Sequence, residues 1–385
     1  MNKLPDGWTE YKLKDIMSIS SKRYNPNKDT KNYKCIELEH IESETGILNG
    51  HTNSKDIHSV KNVFEKGEVL YGKLRPYLKK FYLAKFDGVC SSEIWVLKGK
   101  KVINDFLYYF IQQDNFNYIA NVSIGMIMPR ADWSYMSEIS FNIPPLDEQK
   151  RIASALSKID AYLENTIKLI EEKERFKRGI AKKLLTCKEG ENIPEARFKG
   201  FEDEWKEYNL SKIGVSYNGL RNKKANSFVE NCNAKYITYK SVYDKNKIDI
   251  NRLGNVFIGK NENQNLVKYG DIFFTISSET PDEVAISSVL LDEVENTYLN
   301  SFCFGFRFDF NILLPEFARY YFRSDYIRKS TYRLAQGITR YNISKKKFLD
   351  IIIYLPSLEE QEKIGGYLSL LDEEIDNLKK QKELI

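Results

Sequence analysis

The sequence predicts an α+β protein in which two β-rich domains form a pseudo-twofold tandem repeat, each followed by a long helix. Two observations lead to this prediction. Residues 144–152 (PPLDEQKRI) open a long helical pattern, and residues 355–364 (LPSLEEQEKI) open a second one in the same register 212 residues later. The segments that precede the two patterns also repeat, so the duplication extends over the globular parts of the chain.

Both helices are predicted from the spacing of their apolar residues, which alternates between three and four. The first should run from Asp147 to about Thr186, and the second from Ser357 towards the end of the chain. One narrow apolar seam on each helix requires a partner, and the other copy is the simplest one, in an intramolecular coiled coil. The predicted seam residues are Ile152, Leu156, Ile159, Leu163 and Ile170 in the first helix, and Ile364, Leu368, Leu371, Ile375 and Leu378 in the second.

The helix starts carry capping signals. Ser357 with Glu360 matches a capping box, and the adjacent carboxylates Glu359 and Glu360 suit the positive end of the helix dipole better than they suit acid–base chemistry. The far end of the first helix, residues 173–188, is rich in lysine and arginine. This stretch is either a solvated face or a stripe that contacts phosphates, and the sequence leaves both interpretations open.

The globular halves repeat through short anchors whose offset grows along the chain. Residues 8–16 match 205–213, residues 66–71 match 269–274, and residues 105–110 match 316–321. We therefore expect β-rich domains at 1–145 and 201–355, helices at 146–187 and 356–385, and a polar linker at 188–200. Expected strands include 89–96, 236–239, 271–276 and 302–308, and a short helix is expected near 104–115 and again near 315–324.

Composition limits the possible functions. The 385 residues carry 59 basic and 54 acidic side chains, and the net charge of +5 permits a nucleic-acid partner without requiring one. Five separated cysteines without a C-x-x-C pair argue against a disulfide framework or a zinc site, and His40, His51 and His58 are interpreted as scattered surface residues. No apolar run approaches membrane-spanning length, so no membrane partner is expected and the cytoplasm is the expected location.

Catalytic motifs are absent from the sequence. It contains no glycine-rich nucleotide-binding motif, no H-E-x-x-H and no G-x-S-x-G, and it lacks the Asn-Pro-Pro-aromatic motif of adenine methyltransferases. We therefore expect a chain that is no enzyme by itself and binds neither cofactor nor metal.

Basic, polar and aromatic residues do cluster in loops of both halves. Arginine can grip guanine edges, asparagine and glutamine can grip adenine edges, and lysine can contact phosphates. A solvated loop is the alternative for each of them. The candidate DNA-binding residues are Lys22, Arg23, Tyr24, Asn25, Lys73, Arg75, Tyr77 and Arg130 in the first half, and Arg221, Asn222, Lys223, Lys224, Ser278, Thr280, Gln336, Thr339, Arg340 and Asn342 in the second.

The repeated P-x-L-x-E-Q start of a long helix, present twice after β-rich domains that open near Trp8 and Trp205, resembles the DNA specificity subunit of type I restriction-modification systems. The resemblance covers essentially the whole chain. It implies two target recognition domains that each read half of a bipartite, asymmetric target in double-stranded DNA, and two helices that pack as an antiparallel coiled-coil spacer. By position, Gly125 with Arg130 and Gly337 with Arg340 and Asn342 match the glycine-then-basic loop before the spacer helix.

The resemblance also implies partner subunits. Two methyltransferase subunits would bring S-adenosylmethionine and methylate adenine N6, and two restriction/translocase subunits would use ATP and Mg²⁺. The alternative is a non-enzymatic protein-interaction scaffold with tandem β-domains and a coiled coil, while a self-contained methyltransferase or nuclease would need a motif that the sequence lacks. The second helix is also shorter than the first. Either the chain is truncated, or the distal part of the first helix, residues 174–186, finds a partner elsewhere.

Overall fold

The computed structural model describes residues 5–122, 128–229 and 232–384. The chain forms two compact units, Met1–Glu164 and Asn165–Ile385, each with its own sheets and hydrophobic core. The predicted α+β tandem repeat is therefore confirmed. No helix in the described part of the chain is both long enough and apolar enough to cross a membrane.

The first unit combines three sheets with short helices and the start of a long one. A four-stranded sheet has the order β2-β10-β7-β8, a five-stranded sheet has the order β3-β6-β9-β4-β5, and β1 pairs with β11. The strands are β1 (Thr9–Lys12), β2 (Met17–Ile19), β3 (Arg23–Tyr24), β4 (Lys34–Ile36), β5 (Thr52–Asn53), β6 (Lys61–Phe64), β7 (Val69–Gly72), β8 (Phe81–Leu83), β9 (Gly88–Cys90), β10 (Ile94–Gly99) and β11 (Ser140–Ile143). The helices are α1 (Leu13–Ile16), α2 (Asn104–Phe110), α3 (Asp114–Ala120), α4 (Trp133–Met136) and α5 (Leu146–Leu185).

The second unit repeats this frame. Its four-stranded sheet, β13-β20-β16-β18, matches β2-β10-β7-β8 strand for strand, and it also has a three-stranded sheet β15-β14-β19 and the pairs β12-β22 and β17-β21. The strands are β12 (Lys206–Asn209), β13 (Gly214–Asn218), β14 (Ala234–Ile237), β15 (Gly254–Val256), β16 (Ile272–Thr275), β17 (Ser277–Ser278), β18 (Ser287–Val289), β19 (Thr297–Leu299), β20 (Cys303–Phe308), β21 (Tyr341–Asn342) and β22 (Ile352–Leu355). The helices are α6 (Leu210–Ile213), α7 (Tyr239–Asp244), α8 (Pro315–Tyr321), α9 (Asp325–Tyr332), α10 (Lys345–Leu349) and α11 (Leu358–Leu384).

Several predicted elements differ in detail from the structure. The predicted strand 89–96 is two strands, because a turn closed by the Ile94 amide and the Ser91 carbonyl (3.0 Å) separates β9 from β10. The predicted strand 236–239 ends at Ile237, since the side chain of Thr238 caps the N-terminus of α7. The predicted helix at 104–115 ends at Phe110, and a second helix, α3, follows it.

A buried glutamine fastens each long helix to its own globular unit. The side chain of Gln149 donates to the carbonyls of Lys101 (3.1 Å) and Pro144 (2.9 Å), and it accepts from the amide of Ile103 (3.1 Å). Gln361 makes the same three bonds, donating to the carbonyls of Ile312 (2.8 Å) and Pro356 (3.0 Å) and accepting from the amide of Leu314 (2.9 Å). The repeated glutamine therefore joins the start of each helix to the turn that precedes α2 or α8.

An aspartate further along each helix makes a second fastening. Asp160 accepts a hydrogen bond from the hydroxyl of Tyr109 (2.7 Å), and Asp372, 212 residues later, accepts one from Tyr320 (2.7 Å). Asp372 also binds Arg319 (3.0 Å) and Lys177, so it connects α5, α8 and α11 within the second unit. Burial, and then the neighbouring carboxylate, raise the pKa of both tyrosines, so they remain protonated donors.

The two long helices pack antiparallel in the second unit, as the resemblance implied. Glu174 pairs with Lys379 (2.6 Å), whereas Lys177, later in α5, pairs with Asp372, earlier in α11. Residues at the end of α5, including Leu184, lie in the core of this unit. Residues 174–186 therefore have partners both in α11, whose start lies against the end of α5, and in the globular part of the second unit, where Leu184 shares a core with Trp205 and Tyr321.

The predicted seam is buried unevenly. Ile170, Ile364, Leu368, Leu371 and Ile375 are buried and Leu378 is half-buried, all within the second unit. In the first unit, Ile152, Leu156 and Leu163 are half-buried, and Ile159 is 48% exposed, which departs from the seam expectation. Two lysines of the basic stretch, Lys173 and Lys177, form ion pairs with α11. These ion pairs favour neither of the two interpretations of the stretch, as a solvated face or as a stripe that contacts phosphates, for these two residues.

The predicted linker packs against the start of α11. Arg197 donates two 2.8 Å bonds to the carboxylate of Glu360, whose side chain is only 1% exposed. The capping-box prediction is therefore correct only for Ser357, whose hydroxyl accepts from the Glu360 amide (3.3 Å), because the Glu360 carboxylate binds Arg197 instead. Phe198 adds a ring contact with Tyr367 of the same helix.

Candidate nucleic-acid interface

The residues that follow β7 pair with residues 129–131, and we call residues 73–75 and 129–131, together with Glu93, the first clasp. The amide of Arg75 donates to the carbonyl of Pro129 (2.8 Å), and the amide of Ala131 donates to the carbonyl of Lys73 (2.8 Å). The amide of Lys73 in turn donates to the carbonyl of Glu93 in the turn before β10 (2.9 Å). These bonds bring the backbone segments that carry the predicted residues Lys73, Arg75 and Arg130 next to each other.

The second unit has the same arrangement, and we call residues 276–278 and 341–343, together with Phe302, the second clasp. The amide of Ile276 donates to the carbonyl of Phe302 (2.9 Å), and the amide of Ile343 donates to the carbonyl of Ile276 (3.0 Å). Ser277 pairs with Asn342 in the antiparallel bridge between β17 and β21. Gln336 and Asn342 also exchange two backbone bonds of 2.9 Å, which close the loop that carries Gly337, Thr339 and Arg340.

The two clasps are equivalent position by position. Leu74 forms a β-bridge with Arg130, as Ser277 does with Asn342. Leu74 and Ser277 are 203 residues apart, and Arg130 and Asn342 are 212 residues apart, which are the offsets of the sequence anchors. Arg130 therefore corresponds to Asn342. By the same backbone bonds, Glu93 corresponds to Phe302. The backbone frame is shared, but the side chains that it presents differ in charge and polarity.

The first clasp is cationic with one carboxylate. The guanidinium of Arg130 donates from Nε and Nη2 to the carboxylate of Glu93 (2.9 and 3.3 Å), and this hydrogen bond and charge raise the pKa of Arg130. Arg75 is exposed and adopts a left-handed backbone conformation (φ 52°) directly before Pro76. Tyr77, which follows, is 53% exposed. This surface offers arginine donors and an aromatic ring to a partner.

The second clasp borders a cavity of about 310 Å³. Aromatic rings of Tyr239, Tyr243 and Phe302 line it, together with Ser278, Glu283 and Arg340. Hydrogen bonds from Tyr243 and from Ser278 (2.8 Å) hold the pKa of Glu283 below its usual range. The bond between Tyr243 and Glu283 also raises the pKa of Tyr243 to about 12. The cavity therefore combines ring surfaces with a carboxylate that stays charged near neutral pH.

The loop above this cavity requires glycine at one position. Gly337 has φ 147°, and a Cβ atom there would lie 2.0 Å from the carbonyl oxygen of Arg340. Five of the predicted residues in and around the second clasp are exposed: Thr280, Gln336, Thr339, Arg340 and Asn342. Gly125, the corresponding glycine of the first half, lies outside the described residues.

Other predicted residues lie on other parts of the units. Lys22 is exposed and pairs with Glu65 (2.6 Å), Arg23 is exposed on β3, and Asn25 caps the turn after it. The prediction for Tyr24 requires correction, because its ring is 5% exposed and packs in a core cluster with Cys35 and Val89.

The predicted residues of the second half outside the loop of Gly337 are partly exposed and partly buried. Arg221, Asn222 and Lys224 are exposed in the loop after β13, and Arg221 donates to the carbonyl of Asn263 (3.3 Å). The prediction for Lys223 as a phosphate contact requires correction. Its side chain is 4% exposed, and its ammonium binds Glu262 and the Phe257 carbonyl, both at 2.5 Å. Ser278 is 8% exposed, and its hydroxyl is engaged by Glu283.

The sequence predictions missed Glu93, Phe302, Tyr239 and Glu283. A signal for the first two existed, because both directly precede matching strands, β10 and β20, and occupy one position of the repeat. Tyr239 and Glu283 had no comparable signal, since their place beside the clasp depends on folding. Within the described ranges, no group of three or more His, Cys, Asp or Glu side chains is arranged to hold a metal ion.

Comparisons with known proteins agree with this duplication. The family model described as a type I restriction modification DNA specificity domain matches residues 5–172 and again 202–385. The EcoDI type I restriction enzyme specificity subunit of Escherichia coli is 29% identical over 170 residues, which is 43% of this chain and 38% of that protein. The MjaVIII specificity subunit of Methanocaldococcus jannaschii is 28% identical over 349 residues, 86% of this chain and 76% of that protein.

Solved structures show a similar fold. A chain from a structure of complex assembly in the type I R-M system has a TM-score of 0.59 at 19% identity, covering 100% of this chain and 94% of that one. The type I restriction-modification system S subunit from M. genitalium has a TM-score of 0.56 at 17% identity, covering 99% of this chain and 94% of that one.

Proposed function

Because this chain belongs to the type I restriction modification DNA specificity family, we propose that each of its two units reads one half of a bipartite site in double-stranded DNA. The observation that carries this proposal is the repeated clasp. One backbone frame occurs twice: the first copy presents the exposed arginines Arg75 and Arg130, and the second presents the exposed carboxamide of Asn342 beside Arg340. Arginine and amide side chains are the kinds that read base edges in the major groove. Because the two copies present different side chains, the two half-sites differ and the target is asymmetric.

The long helices act as the spacer in this proposal. The glutamine and aspartate fastenings hold each globular unit on its own helix, so the helix pair sets the number of unread base pairs between the half-sites. In the second unit, Leu169 (41% exposed) and Phe176 (54%) on α5, and Leu370 (60%) on α11, add apolar surface that a partner subunit could cover.

The chain contributes recognition, and partner subunits contribute catalysis. We propose that two methyltransferase subunits bring S-adenosylmethionine and methylate adenine N6 after flipping the base out of the duplex. Two restriction/translocase subunits using ATP and Mg²⁺ complete the restriction enzyme. The absence of catalytic motifs from the sequence supports this division, and a DNA target supports a cytoplasmic location.

The test is to co-express the chain with the methyltransferase subunit encoded beside it and to map N6-methyladenine in the host DNA. We expect one split motif that appears only when this chain is present. An Arg340→Ala variant should lose methylation of that motif, while the control Lys158→Ala, an exposed substitution on α5, should keep it. A wild-type complex that assembles but adds no methylation would contradict the proposal, and so would an Arg340→Ala complex that methylates the same motif as the wild type.

Salt dependence distinguishes DNA reading from a protein scaffold. Each phosphate that the protein neutralises releases counterions, so the DNA affinity of the assembled complex should fall steeply as salt rises. A weak DNA affinity that does not change between about 50 and 200 mM salt would instead favour a protein-interaction scaffold.

A further inference from the structure

The equivalent positions of the two clasps carry different pairs of side chains. In the first unit, the pair is Glu93 and Arg130, an acid beside a cation. In the second unit, the same backbone positions carry Phe302 and Asn342, an apolar ring and a carboxamide. Both members change together between the copies, which is the pattern expected when two side chains serve one ligand group.

The first pair has the chemistry of a guanine–cytosine reader. Arginine donates two hydrogen bonds to O6 and N7 of guanine, and glutamate accepts from the N4 amino group of cytosine. Guanine O6 and cytosine N4 are neighbours in the major groove, since they bond to each other in the base pair. Glu93 and Arg130 are likewise neighbours, with 2.9 Å between Oε2 and Nε. Both side chains remain accessible, at 26% and 46% exposure.

The second pair has the chemistry of an adenine–thymine reader. Asparagine bonds to N6 and N7 of adenine, and an apolar ring contacts the C5-methyl group of thymine. The carboxamide of Asn342 is exposed on β21. Phe302 is 56% exposed and lines the cavity together with Tyr239. A thymine methyl group would cover this ring on binding.

We propose that the two clasps are base-pair readers of different specificity. Glu93 with Arg130 reads a G·C pair in one half-site, and Phe302 with Asn342 reads an A·T pair in the other. This inference rests on the proposed function, because it assigns bases to the interface that the function requires. It also explains why one backbone frame serves two unlike half-sites, since the identity of the base pair depends on two exchangeable side chains.

The experiment exchanges the pairs and records the methylated motif. The full chain is co-expressed with its methyltransferase subunit as wild type, as Glu93→Phe/Arg130→Asn, and as Phe302→Glu/Asn342→Arg. Each exchange should change one position in one half of the motif, from G·C to A·T in the first variant and from A·T to G·C in the second. The other half should stay as in the wild type. The matched control is Glu138→Gln, which breaks an exposed ion pair with Lys12 and Lys14 outside the clasp and should leave the motif unchanged.

Conservative variants keep the test decisive if an exchange impairs folding. Arg130→Lys retains the charge but loses the two-pronged guanidinium, and Glu93→Gln removes the carboxylate. In competition binding of the assembled complex to duplexes that differ at one base pair, each should reduce discrimination at a single position by about tenfold to a hundredfold. If the wild type and both conservative variants still methylate DNA and discriminate equally at every base pair, the base-pair assignment is wrong. An assembled wild-type complex that neither binds nor methylates a specific motif would overturn the proposed function and this assignment with it.

Discussion

Replacing Gln361 by methionine tests the glutamine that fastens the second long helix to its unit. Methionine has a similar volume and no hydrogen-bonding group at the amide position. Gln361 is fully buried, so the substitution leaves the amide of Leu314 and the carbonyls of Ile312 and Pro356 without their side-chain partner. A buried polar group left unpaired costs about 1–3 kcal/mol. A buried carbonyl tolerates the loss of a hydrogen-bond partner better than a buried N–H group does. We therefore expect the free energy of unfolding of the second unit to fall by about 3 kcal/mol.

Hydrogen-exchange mass spectrometry of the intact chain measures this loss for each unit separately. A loss of about 3 kcal/mol corresponds to roughly a hundredfold faster exchange where exchange requires opening of the fastening. The peptides expected to respond cover α8 and the first turns of α11. Gln149→Met should give the same result around α2 and the start of α5, because Gln149 makes the same three bonds.

The matched control is Gln381→Met, an exposed glutamine on the same helix. It should leave exchange in the second unit unchanged. Equal protection in the Gln361 and Gln381 variants would refute the argument that the three side-chain bonds hold the helix to the unit.

Further predictions concern the second fastening, the clasp, the spacer and the thiols. Asp372→Asn should lower the free energy of unfolding of its unit by about 2–3 kcal/mol in urea denaturation, against about 1 kcal/mol for Asp160→Asn, because Asp372 also binds two cations. Arg75→Ala should weaken specific DNA binding by about 1–3 kcal/mol in titrations if its guanidinium contacts a base. One heptad inserted into both long helices adds about 10 Å and should lengthen the unread gap by roughly three base pairs in the methylated motif. Burial raises the pKa of Cys35 to about 12 and also that of Cys303, so at pH 8 both should resist alkylation until the protein unfolds, as peptide mapping would show.

The frame of the fold could be predicted from the sequence because it is duplicated. The constant offset of the two helix starts located α5 and α11 to within two residues, and the anchors located the four-stranded sheets. The role of Glu360 could not be predicted, because its partner Arg197 lies 163 residues away and only tertiary folding brings them together. In the sequence, the position of Glu360 three residues after Ser357 indicated a local cap. In the fold the Glu360 carboxylate is buried, and a buried carboxylate requires a cation as its partner.

The candidate site was predicted unevenly for a similar reason. Loop composition pointed to Arg75 and Arg340, which are exposed, but composition cannot distinguish an exposed lysine from Lys223, whose ammonium is held by Glu262. Nor can it place Glu93 beside Arg130, since that contact depends on the turn before β10 meeting a segment 37 residues later. Residues that are polar and near in sequence were found, whereas residues brought in by the sheet were missed.

The backbone bonds of the two clasps allow the side chains of the candidate interface to be replaced without loss of the fold. Lys73, Glu93 and Ala131 are joined by backbone amides and carbonyls, and the same holds for Ile276, Phe302 and Ile343. A backbone bond survives replacement of the side chain, so Arg130 and Asn342 can occupy one position of the same frame. The buried side-chain bonds of Gln149 and Gln361 lie outside the clasps, and substitution there would release the helix from its unit. The fold thus separates the positions that hold the domain together from the positions that face a partner.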